Sequence, residues 1–312
     1  MNGLNQANQA KQAKQVSHIG VKGQYALITG ATSGIGLAAA HALTARGMNI
    51  GIVARNESKA NETAAQLRAA CSEPIHVDVY IADLSSQQSI RSVADQIAAK
   101  CPKIDRLINN AGAMFVERKV TADGLEMTWA VNHMAPFLLT TLLLERGMLA
   151  EHARIITTSS HGHKMARKGI SFDDLSGKRQ FGLLGKMTGG PNFRYAETKL
   201  ANILFSSQLA EHLKGTGITA YSFDPGLVST NFNQDNGLLA RMTMAVMKRF
   251  SSTAEHGAET LVWLAETDAA NLANGGYYAD KQAKTPSAAA RDMKAAKRLW
   301  EVSVEQTYVS QP

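Results

Sequence analysis

Tyr195 and Lys199 stand four residues apart in a stretch whose apolar pattern predicts a long helix over residues 193–213. At this spacing two side chains share one helix face, with their Cβ atoms about 5–6 Å apart. A phenol has an unperturbed pKa near 10, and an ammonium at about 5 Å favours the phenolate by about 3 kcal/mol at an effective dielectric of roughly 20. That is about two pKa units, so the pair predicts a tyrosine that exchanges protons near pH 7. The same spacing is also typical of a half-buried ring beside a solvated charge.

A glycine-rich turn near the start of the chain is the second group of residues that could do chemistry. Residues 25–29 predict a strand, an alanine-rich helix follows up to residue 46, and the turn between them carries three glycines. In this setting glycines let the backbone approach a pyrophosphate at a helix N-terminus, although the first two glycines are spaced more widely than in G-x-G-x-x-G. The segment is also compatible with a simple tight turn, but its position favours a nucleotide site. The residues predicted to form it are Gly30, Thr32, Ser33, Gly34, Ile35 and Gly36.

Strand-like runs alternate with helical patterns along the chain, and they predict the elements that must position these residues. Further strands are predicted at residues 49–54, 75–81, 104–108, 153–158, 218–223 and 276–279. This alternation predicts an α/β fold with a single Rossmann-type doubly wound parallel sheet and helices on both faces. With 312 residues, 45% of them hydrophobic, the chain can bury a large core, and no linker divides residues 21–312 into two domains.

Residues 1–20 differ in composition, because they are rich in Asn, Gln and Ala. They predict a disordered tail without the apolar run of a signal peptide or anchor, so a cytoplasmic location without membrane contact is expected. Cys71 and Cys101 show neither a disulfide framework nor zinc-ligand spacing. The net charge of +7 suits an anionic cofactor but is not gathered into one basic patch, which argues against nucleic acid as a partner.

Five motifs resemble, in their order along the chain, those of the short-chain dehydrogenase/reductase family. The motifs are Thr29-Gly30-x-x-x-Gly34-Ile35-Gly36, Asn109-Asn110-Ala111-Gly112, Ser160, Tyr195-x-x-x-Lys199 and Pro225-Gly226. The resemblance extends from about residue 22 to about residue 303. Within the family, Asn132-His133, the run 199–205 and Leu299-Trp300-Glu301 are most similar to the retinol-dehydrogenase-like branch.

The resemblance implies a catalytic set of four residues. Ser160 would donate a hydrogen bond to the substrate oxygen, and Tyr195 would be the general acid in carbonyl reduction and the base in alcohol oxidation. Lys199 would lower the pKa of Tyr195 and hold the nicotinamide ribose, while Asn132 would position a water that links Lys199 to solvent. The choice of Ser160 over Ser159 rests on the resemblance, and an asparagine within a helix is also typical of a packing or kink position.

The same resemblance implies the residues that would hold a dinucleotide. Asp83 would meet the adenine amino group, although a helix N-cap is an equally good interpretation of this residue. The residues that would cover the nicotinamide are Pro225, Gly226, Val228 and Thr230. The other implied contacts are Leu84, Asn109, Ala111 and Gly112 on the adenine-ribose side, together with Tyr195 and Lys199.

The end of the second predicted strand distinguishes the two nicotinamide cofactors. NAD enzymes place an acidic residue there for the ribose 2′-hydroxyl, whereas this chain has Arg55, and a guanidinium matches a 2′-phosphate through parallel hydrogen bonds. Against this, Ser33 is not the basic residue that some NADP-preferring members carry in the glycine turn. The sequence therefore predicts NADP, with NAD as the less favoured cofactor.

Ser160 and Tyr195 are 35 positions apart (195 − 160), a longer connection than in the simplest family members. Residues 164–192 are predicted to wall the substrate site and to obstruct the helix pairing by which many members form tetramers, which leaves a monomer or a homodimer. His161 and His163 follow Ser160 without a third ligand, so they are interpreted as rim or packing residues and no metal site is predicted.

A second apolar pattern follows Thr230. Leu239, Met242, Val246 and Phe250 recur at steps of three, four and four, which places them on one helical stripe. Residues 229–252 are therefore predicted to form a mobile lid that closes on a hydrophobic substrate. A surface helix packed on the core and a basic amphipathic helix on a membrane surface remain as alternatives.

Together these observations predict an oxidoreductase that transfers a hydride between NADP(H) and a small apolar carbonyl or alcohol. Tyr195 would be its proton donor and acceptor. Two alternatives stay open: a non-catalytic NADP-sensing regulatory protein, and a reductase of an activated carbon-carbon double bond. The complete Ser-Tyr-Lys set speaks against the sensor, because a sensor needs no proton donor.

Overall fold

The computed structural model describes residues 20–226 and 253–308, and these residues form an eight-stranded sheet with helices on both faces. The strands are β1 (Tyr25–Thr29), β2 (Asn49–Ala54), β3 (Val77–Ile81), β4 (Ile104–Asn109), β5 (Leu149–Thr158), β6 (Thr219–Phe223), β7 (Tyr277–Ala279) and β8 (Gln282–Ala283). The helices are α1 (Gly34–Thr44), α2 (Glu57–Ala69), α3 (Gln87–Lys100), α4 (Met127–Glu145), α5 (Lys178–Phe181), α6 (Leu183–Met187), α7 (Gly190–His212), α8 (Ala254–Glu266) and α9 (Met293–Thr307).

The strands lie in the order β3-β2-β1-β4-β5-β6-β7-β8. All neighbouring pairs from β3 to β7 are parallel, and only β8 runs antiparallel, to β7. From β1 the chain adds β2 and β3 on one side of the sheet and then β4 to β7 on the other side, so the order of strand addition reverses between β1 and β4. Ligands of such sheets bind at this switch point, outside the carboxyl ends of the strands. The predicted doubly wound α/β fold is confirmed, whereas the short β8 was not predicted.

Alternation within β1 shows how the two faces of the sheet are covered. Tyr25 and Leu27 belong to the apolar cluster on the face of α3, α4 and α7, while Ala26 and Ile28 belong to the cluster that includes α1, α2 and α8. Successive strand residues point to opposite faces, so a strand buried on both sides is apolar at every position. This is why the strand-like runs in the sequence are continuous.

Helix α4 contains a π-helical turn at Ala130–Met134 between two α-helical parts. A π-turn adds one residue to the helix and is often found at functional sites. By length and mean hydropathy, 1.2, α4 could cross a membrane, but 78% of it is buried inside the fold. Such burial is typical of the core helix of a globular protein.

Candidate active site

The turns that follow β1, β4, β5 and β6 meet at the carboxyl edge of the sheet. Parallel pairing aligns the ends of these strands, because Ile108 lies beside Ile28, and Thr158 lies beside Phe223. Each turn carries part of the predicted site: the glycine turn after β1, residues 109–112 at the end of β4, the two serines after β5 and residues 224–226 after β6. The sheet therefore assembles motifs that are up to 196 residues apart (226 − 30).

The glycine turn needs glycine at specific positions. Gly30 and Gly34 have φ of +71° and +54°, a region that other L-residues rarely adopt. A Cβ on Gly36 would lie 2.4 Å from the Gly30 carbonyl oxygen, so the first turn of α1 approaches the loop too closely for any side chain. Ser33 precedes α1 and makes no side-chain hydrogen bond to its first turn. The helix N-terminus thus presents backbone N–H groups, as a pyrophosphate requires.

Thr29 joins this turn to the Asn109–Gly112 segment. Its Oγ1 accepts hydrogen bonds from the backbone N–H groups of Asn110 and Ala111, both at 3.0 Å. The Asn110 side chain donates in return to the Thr29 carbonyl at 3.1 Å. These contacts fix the distance between the glycine turn and the Asn109–Gly112 segment. They give Asn110 a structural role that the sequence did not reveal.

The residues predicted on the adenine side gather beside this junction. Leu84, Asn109 and Ala111 line one small cavity, and Asn109 Oδ1 is buried there with no hydrogen-bond partner among the described residues. Asp83 is exposed, and its Oδ1 accepts from both the backbone N–H and the hydroxyl of Ser85 at 2.9 and 2.7 Å. The N-cap of α3 is Ser86, so the N-cap interpretation of Asp83 is wrong.

Arg55 follows the last residue of β2 and is exposed. It makes no hydrogen bond or ion pair within residues 20–226 and 253–308. The next residue, Asn56, caps α2 by accepting from Lys59 N–H at 2.9 Å. A guanidinium at this strand end is therefore accessible to an anionic ligand.

The two serines after β5 have different surroundings. Ser159 is buried, and its hydroxyl donates to the Lys199 carbonyl at 2.8 Å, so it fastens the loop to α7. Ser160 is half-buried; its Oγ accepts from Gly162 N–H at 3.1 Å and shares a hydrogen bond with Tyr195. A Cβ on Gly162 would lie 3.4 Å from Ser160 Oγ and 3.7 Å from the Tyr195 ring, so Gly162 contributes to the shape of the site. The structure thus brings Ser160, and not Ser159, to Tyr195.

The electrostatics of Tyr195 differ from the sequence expectation. Burial raises its pKa above the ordinary value of a phenol, and the hydrogen bond with Ser160 offsets only part of the increase. Burial also lowers the pKa of Lys199 to about 8. The ammonium nitrogen lies 5.5 Å from the centroid of the Tyr195 ring. Loss of hydration therefore dominates the Tyr195 pKa in this structure, and the lowering of that pKa by Lys199 stays a prediction.

Lys199 and Asn132 are held by backbone groups around the site. Lys199 Nζ donates to the Thr158 carbonyl at 3.1 Å. Asn132 lies in the π-turn of α4; its Oδ1 accepts from Ala113 N–H at 2.7 Å, and its Nδ2 donates to Ala113 O and to Thr198 Oγ1. Asn132 therefore connects the loop after β4 to α7. Its role in positioning a water stays a prediction.

Gly112 lies between these two groups. A Cβ at this position would be 3.2 Å from Asn132 Oδ1 and 3.4 Å from Lys199 Nζ. A side chain at position 112 would therefore crowd Asn132 and the nitrogen of the buried Lys199, which favours glycine there. The predicted cofactor residues Gly112 and Lys199 are thus neighbours.

The remaining predicted residues lie partly beyond the described ranges. Pro225 and Gly226 follow β6 as expected, and Gly226 N–H donates to Asp224 Oδ1 at 2.9 Å. Val228, Thr230, the predicted lid at 229–252 and residues 1–19 of the predicted tail lie outside the described residues. His161 is exposed and His163 is fully buried. Within the part of the chain that the structure describes, no group of three or more His, Cys, Asp or Glu could hold a metal ion.

Comparison with known proteins supports the same interpretation. The family model described as short chain dehydrogenase matches residues 24–172. Retinol dehydrogenase 12 of Mus musculus is 36% identical over 289 residues, which cover 93% of this chain and 88% of that protein. Retinol dehydrogenase 11 of Homo sapiens is 34% identical over 289 residues, which cover 93% and 87%. The chain belongs to the short-chain dehydrogenase/reductase family.

Within this family the chain is retinol-dehydrogenase-like, and it is an oxidoreductase. A crystal structure of a Mycobacterium paratuberculosis protein superposes with a TM-score of 0.73 at 29% identity, covering 95% of this chain and 97% of that one. The short-chain dehydrogenase/reductase fold binds a nicotinamide cofactor. The glycine turn and the small cavity beside Asn109, whose buried Oδ1 has no partner among the described residues, fit such a group.

Three further residues of this short-chain dehydrogenase/reductase adjoin the predicted site. The sequence analysis did not single out Thr198 and Asp224, and it interpreted His163 only as a rim or packing residue. Thr198 connects Asn132 to the Tyr195 carbonyl, to which its hydroxyl donates at 2.7 Å. Asp224 is buried after β6 and accepts from the Tyr277 hydroxyl at 3.0 Å. His163 contacts the Ser160 carbonyl. The sequence showed only that each of these polar residues is close to a motif along the chain. Closeness along the chain does not indicate which way a side chain points.

We expect Lys199→Met to stabilise the fold at pH 7 while it removes the ammonium from the site. The Lys199 pKa is about 8 in the folded state and near 10.4 in an unfolded chain, so the buried charge costs about 1–3 kcal/mol below pH 8. Between pH 8 and about 10.4 the unfolded state binds more protons, so this cost declines as pH rises. Urea unfolding at pH 7 and pH 10 measures the gain, which should shrink at the higher pH.

The exposed Lys297 supplies the matched control, because Lys297→Met should change the free energy of unfolding neither at pH 7 nor at pH 10. Both variants are compared in a Tyr195→Phe background, which removes the neighbouring phenol from the titration. A loss of stability in Lys199→Met at pH 7 would contradict the assignment of a destabilising buried charge.

Proposed function

We propose that this chain is an NADP(H)-dependent alcohol dehydrogenase or carbonyl reductase that acts on an apolar substrate. The observation that carries the proposal is the hydrogen-bonded pair of Ser160 and Tyr195, with the buried Lys199 ammonium 5.5 Å from the tyrosine ring. The three groups lie at the carboxyl edge of the sheet, beside the glycine turn. A sensor of nucleotides would need the turn but not this proton-transfer group.

Tyr195 donates its proton to the carbonyl oxygen in reduction and accepts it back in alcohol oxidation. Because burial raises the Tyr195 pKa, the phenol is protonated at neutral pH, which is the form that reduction requires. Ser160 donates a second hydrogen bond to the same oxygen, where negative charge develops. Lys199 supplies a positive charge close to the phenol, and it favours the phenolate that remains after proton transfer.

Bound NADP(H) supplies or accepts the hydride. The glycine turn and the N-terminus of α1 would hold its pyrophosphate, because Ser33 leaves the N–H groups of the first turn of α1 without a side-chain cap. Leu84, Asn109 and Ala111 would contact the adenine side, and Lys199 the nicotinamide ribose. Asp83 is exposed close to this cavity, where its free Oδ2 would accept from the adenine amino group.

Arg55 supports the choice of NADP over NAD, and its substitution should reverse that choice. We expect the wild type to show a higher kcat/KM with NADPH than with NADH, because the exposed guanidinium pairs with the 2′-phosphate. Arg55→Asp should lower the ratio of the two values by on the order of 100-fold, since the carboxylate repels the phosphate and accepts from a 2′-hydroxyl. Steady-state kinetics with both cofactors measure the ratio.

Lys59→Asp makes the same change of charge on the exposed first turn of α2 and should leave most of the preference intact. A wild-type enzyme that prefers NADH would contradict the proposed role of Arg55.

The apolar substrate class is supported by the relatives, which are named for retinol, an alcohol that is mostly hydrocarbon. Incubating the purified protein with NADPH and a panel of aldehydes, ketones and enones tests the proposal. We expect cofactor oxidation with apolar aldehydes or ketones and formation of the alcohol. Saturation of the enone double bond would favour the alternative reductase, and cofactor binding without turnover on the whole panel would favour a sensor.

A further inference from the structure

His163 contacts the backbone of Ser160 from within a fully buried position. It belongs to the short 3₁₀ turn His161–Met165, three residues after Ser160. Its Nδ1 lies 2.8 Å from the Ser160 carbonyl oxygen, and its Nε2 lies 3.2 Å from the backbone N–H of Ser287. A backbone N–H can only donate, so Nε2 is the acceptor and the imidazole proton is on Nδ1. The contacts therefore define one tautomer, which donates to Ser160.

The Ser160 carbonyl is held twice by the same residue. It accepts from the backbone N–H of His163 at 3.0 Å as well as from the ring Nδ1. On its other side the imidazole packs edge-on against the Tyr277 ring, with 5.2 Å between the centroids. The Tyr277 hydroxyl donates to Asp224 after β6. The imidazole thus connects the loop after β5 with β7 and with the segment around Ser287.

Orientation of the Ser160 hydroxyl depends on this backbone. The side chain of Ser160 reaches Tyr195 from a residue in extended conformation, with φ of −169° and ψ of 152°. Rotation of the peptide unit that carries its carbonyl would move the Cα–Cβ bond and swing the hydroxyl away from the phenol. Errors of about 1 Å in the placement of reacting groups cost on the order of 100-fold in rate.

We propose that His163 is a positioning residue that fixes the Ser160 peptide, and through it the Ser160 hydroxyl, against the segment around Ser287. This inference rests on the proposed function, in which Ser160 donates to the substrate oxygen. Burial lowers the pKa of His163 and so favours the neutral ring that both contacts require. The sequence suggested only a rim or packing residue at this position.

Three substitutions of His163 separate its two hydrogen bonds. His163→Asn places an amide N–H near the position of Nδ1 and keeps the donor to Ser160, whereas His163→Gln places its polar group near Nε2 and keeps only the contact with Ser287. His163→Phe fills the space without either bond. In the full-length protein, we expect His163→Asn to retain kcat within about fivefold, and His163→Gln and His163→Phe to lose on the order of 100-fold. The Kd for NADPH should change little in all three.

Melting temperatures of the same variants distinguish positioning from a merely structural role. If the losses of kcat follow the losses of melting temperature, or if the Asn and Gln variants are equally impaired, the proposal is overturned. Long-range 1H–15N spectra of 15N-histidine-labelled protein, with His163→Asn for assignment, should show the His163 proton on Nδ1; a proton on Nε2 would also overturn it. A wild type that reduces no carbonyl would refute the proposed function. In that case the spectrum would still show whether Nδ1 of His163 carries the proton that it donates to the Ser160 carbonyl.

Discussion

Replacing Tyr195 by Phe is expected to lower kcat on the order of 1,000-fold while the Kd for NADPH changes by less than about threefold. The phenol shares a hydrogen bond with Ser160 and the centroid of its ring lies 5.5 Å from Lys199 Nζ, so its hydroxyl is needed for proton transfer and not for holding the cofactor. Phe keeps the ring and its packing in α7. Single-turnover reduction of an apolar aldehyde and a fluorescence titration with NADPH measure the two quantities.

Tyr80→Phe is the matched control for this experiment. Tyr80 is another buried tyrosine, on β3, where its hydroxyl lies near Tyr25 and Cys101 and away from the site. Its loss should leave kcat unchanged. If Tyr195→Phe kept a substantial fraction of wild-type turnover, the proton-transfer role would have to be given up.

The second large effect is expected from Arg194, which precedes Tyr195 and is fully buried with its partners. Its Nε donates to Glu126 at 2.8 Å, its Nη1 to Glu197 at 3.1 Å and its Nη2 to the Leu175 carbonyl. The guanidinium also lies 5.0 Å from the Trp129 ring. This cluster joins the start of α4, α7 and the 164–192 stretch next to Tyr195, the proposed proton donor.

Arg194→Ala should lower the free energy of unfolding by about 3–5 kcal/mol, because it leaves the buried Glu126 carboxylate without its counter-ion. Urea or thermal unfolding measures the loss. Arg194→Met combined with Glu126→Gln should recover part of it, since the double variant removes the unpaired Glu126 charge, while Glu197 keeps its hydrogen bonds from Ser171 and Gln180.

Arg298→Ala is a suitable control, because its pair with Glu301 at 3.5 Å is solvent-exposed and should contribute little. Equal effects of Arg194→Ala and Arg298→Ala on the unfolding midpoint would contradict the proposed importance of the buried cluster.

The fold could be predicted from the sequence because most strands of a parallel sheet are short apolar runs. The second strand was predicted at 49–54, as the structure has it, and the sixth within one residue. β5 begins four residues before the prediction, at Leu149, because its polar start pairs with β4 only at Ile104 before a register shift. The two-residue β8 is too short and too exposed to leave a pattern.

The arrangement of the site was predicted less completely, because its energetics depend on tertiary burial. Spacing alone placed Lys199 beside Tyr195, but not the loss of hydration that raises the Tyr195 pKa. The contact of His163 with Ser287 spans 124 positions, and Arg194 meets Glu126 across 68. Such partners are fixed by how α4, α7 and the connecting loops pack, which no local pattern encodes.

The central claim is that the chain transfers a hydride from NADPH to the carbonyl carbon of an apolar substrate. The most direct test supplies NADPH with deuterium at both C4 positions and an apolar enone, and then analyses the product by mass spectrometry. We predict an allylic alcohol that carries one deuterium on the former carbonyl carbon. A saturated ketone labelled at the β-carbon, or no product although the cofactor binds, would contradict the claim.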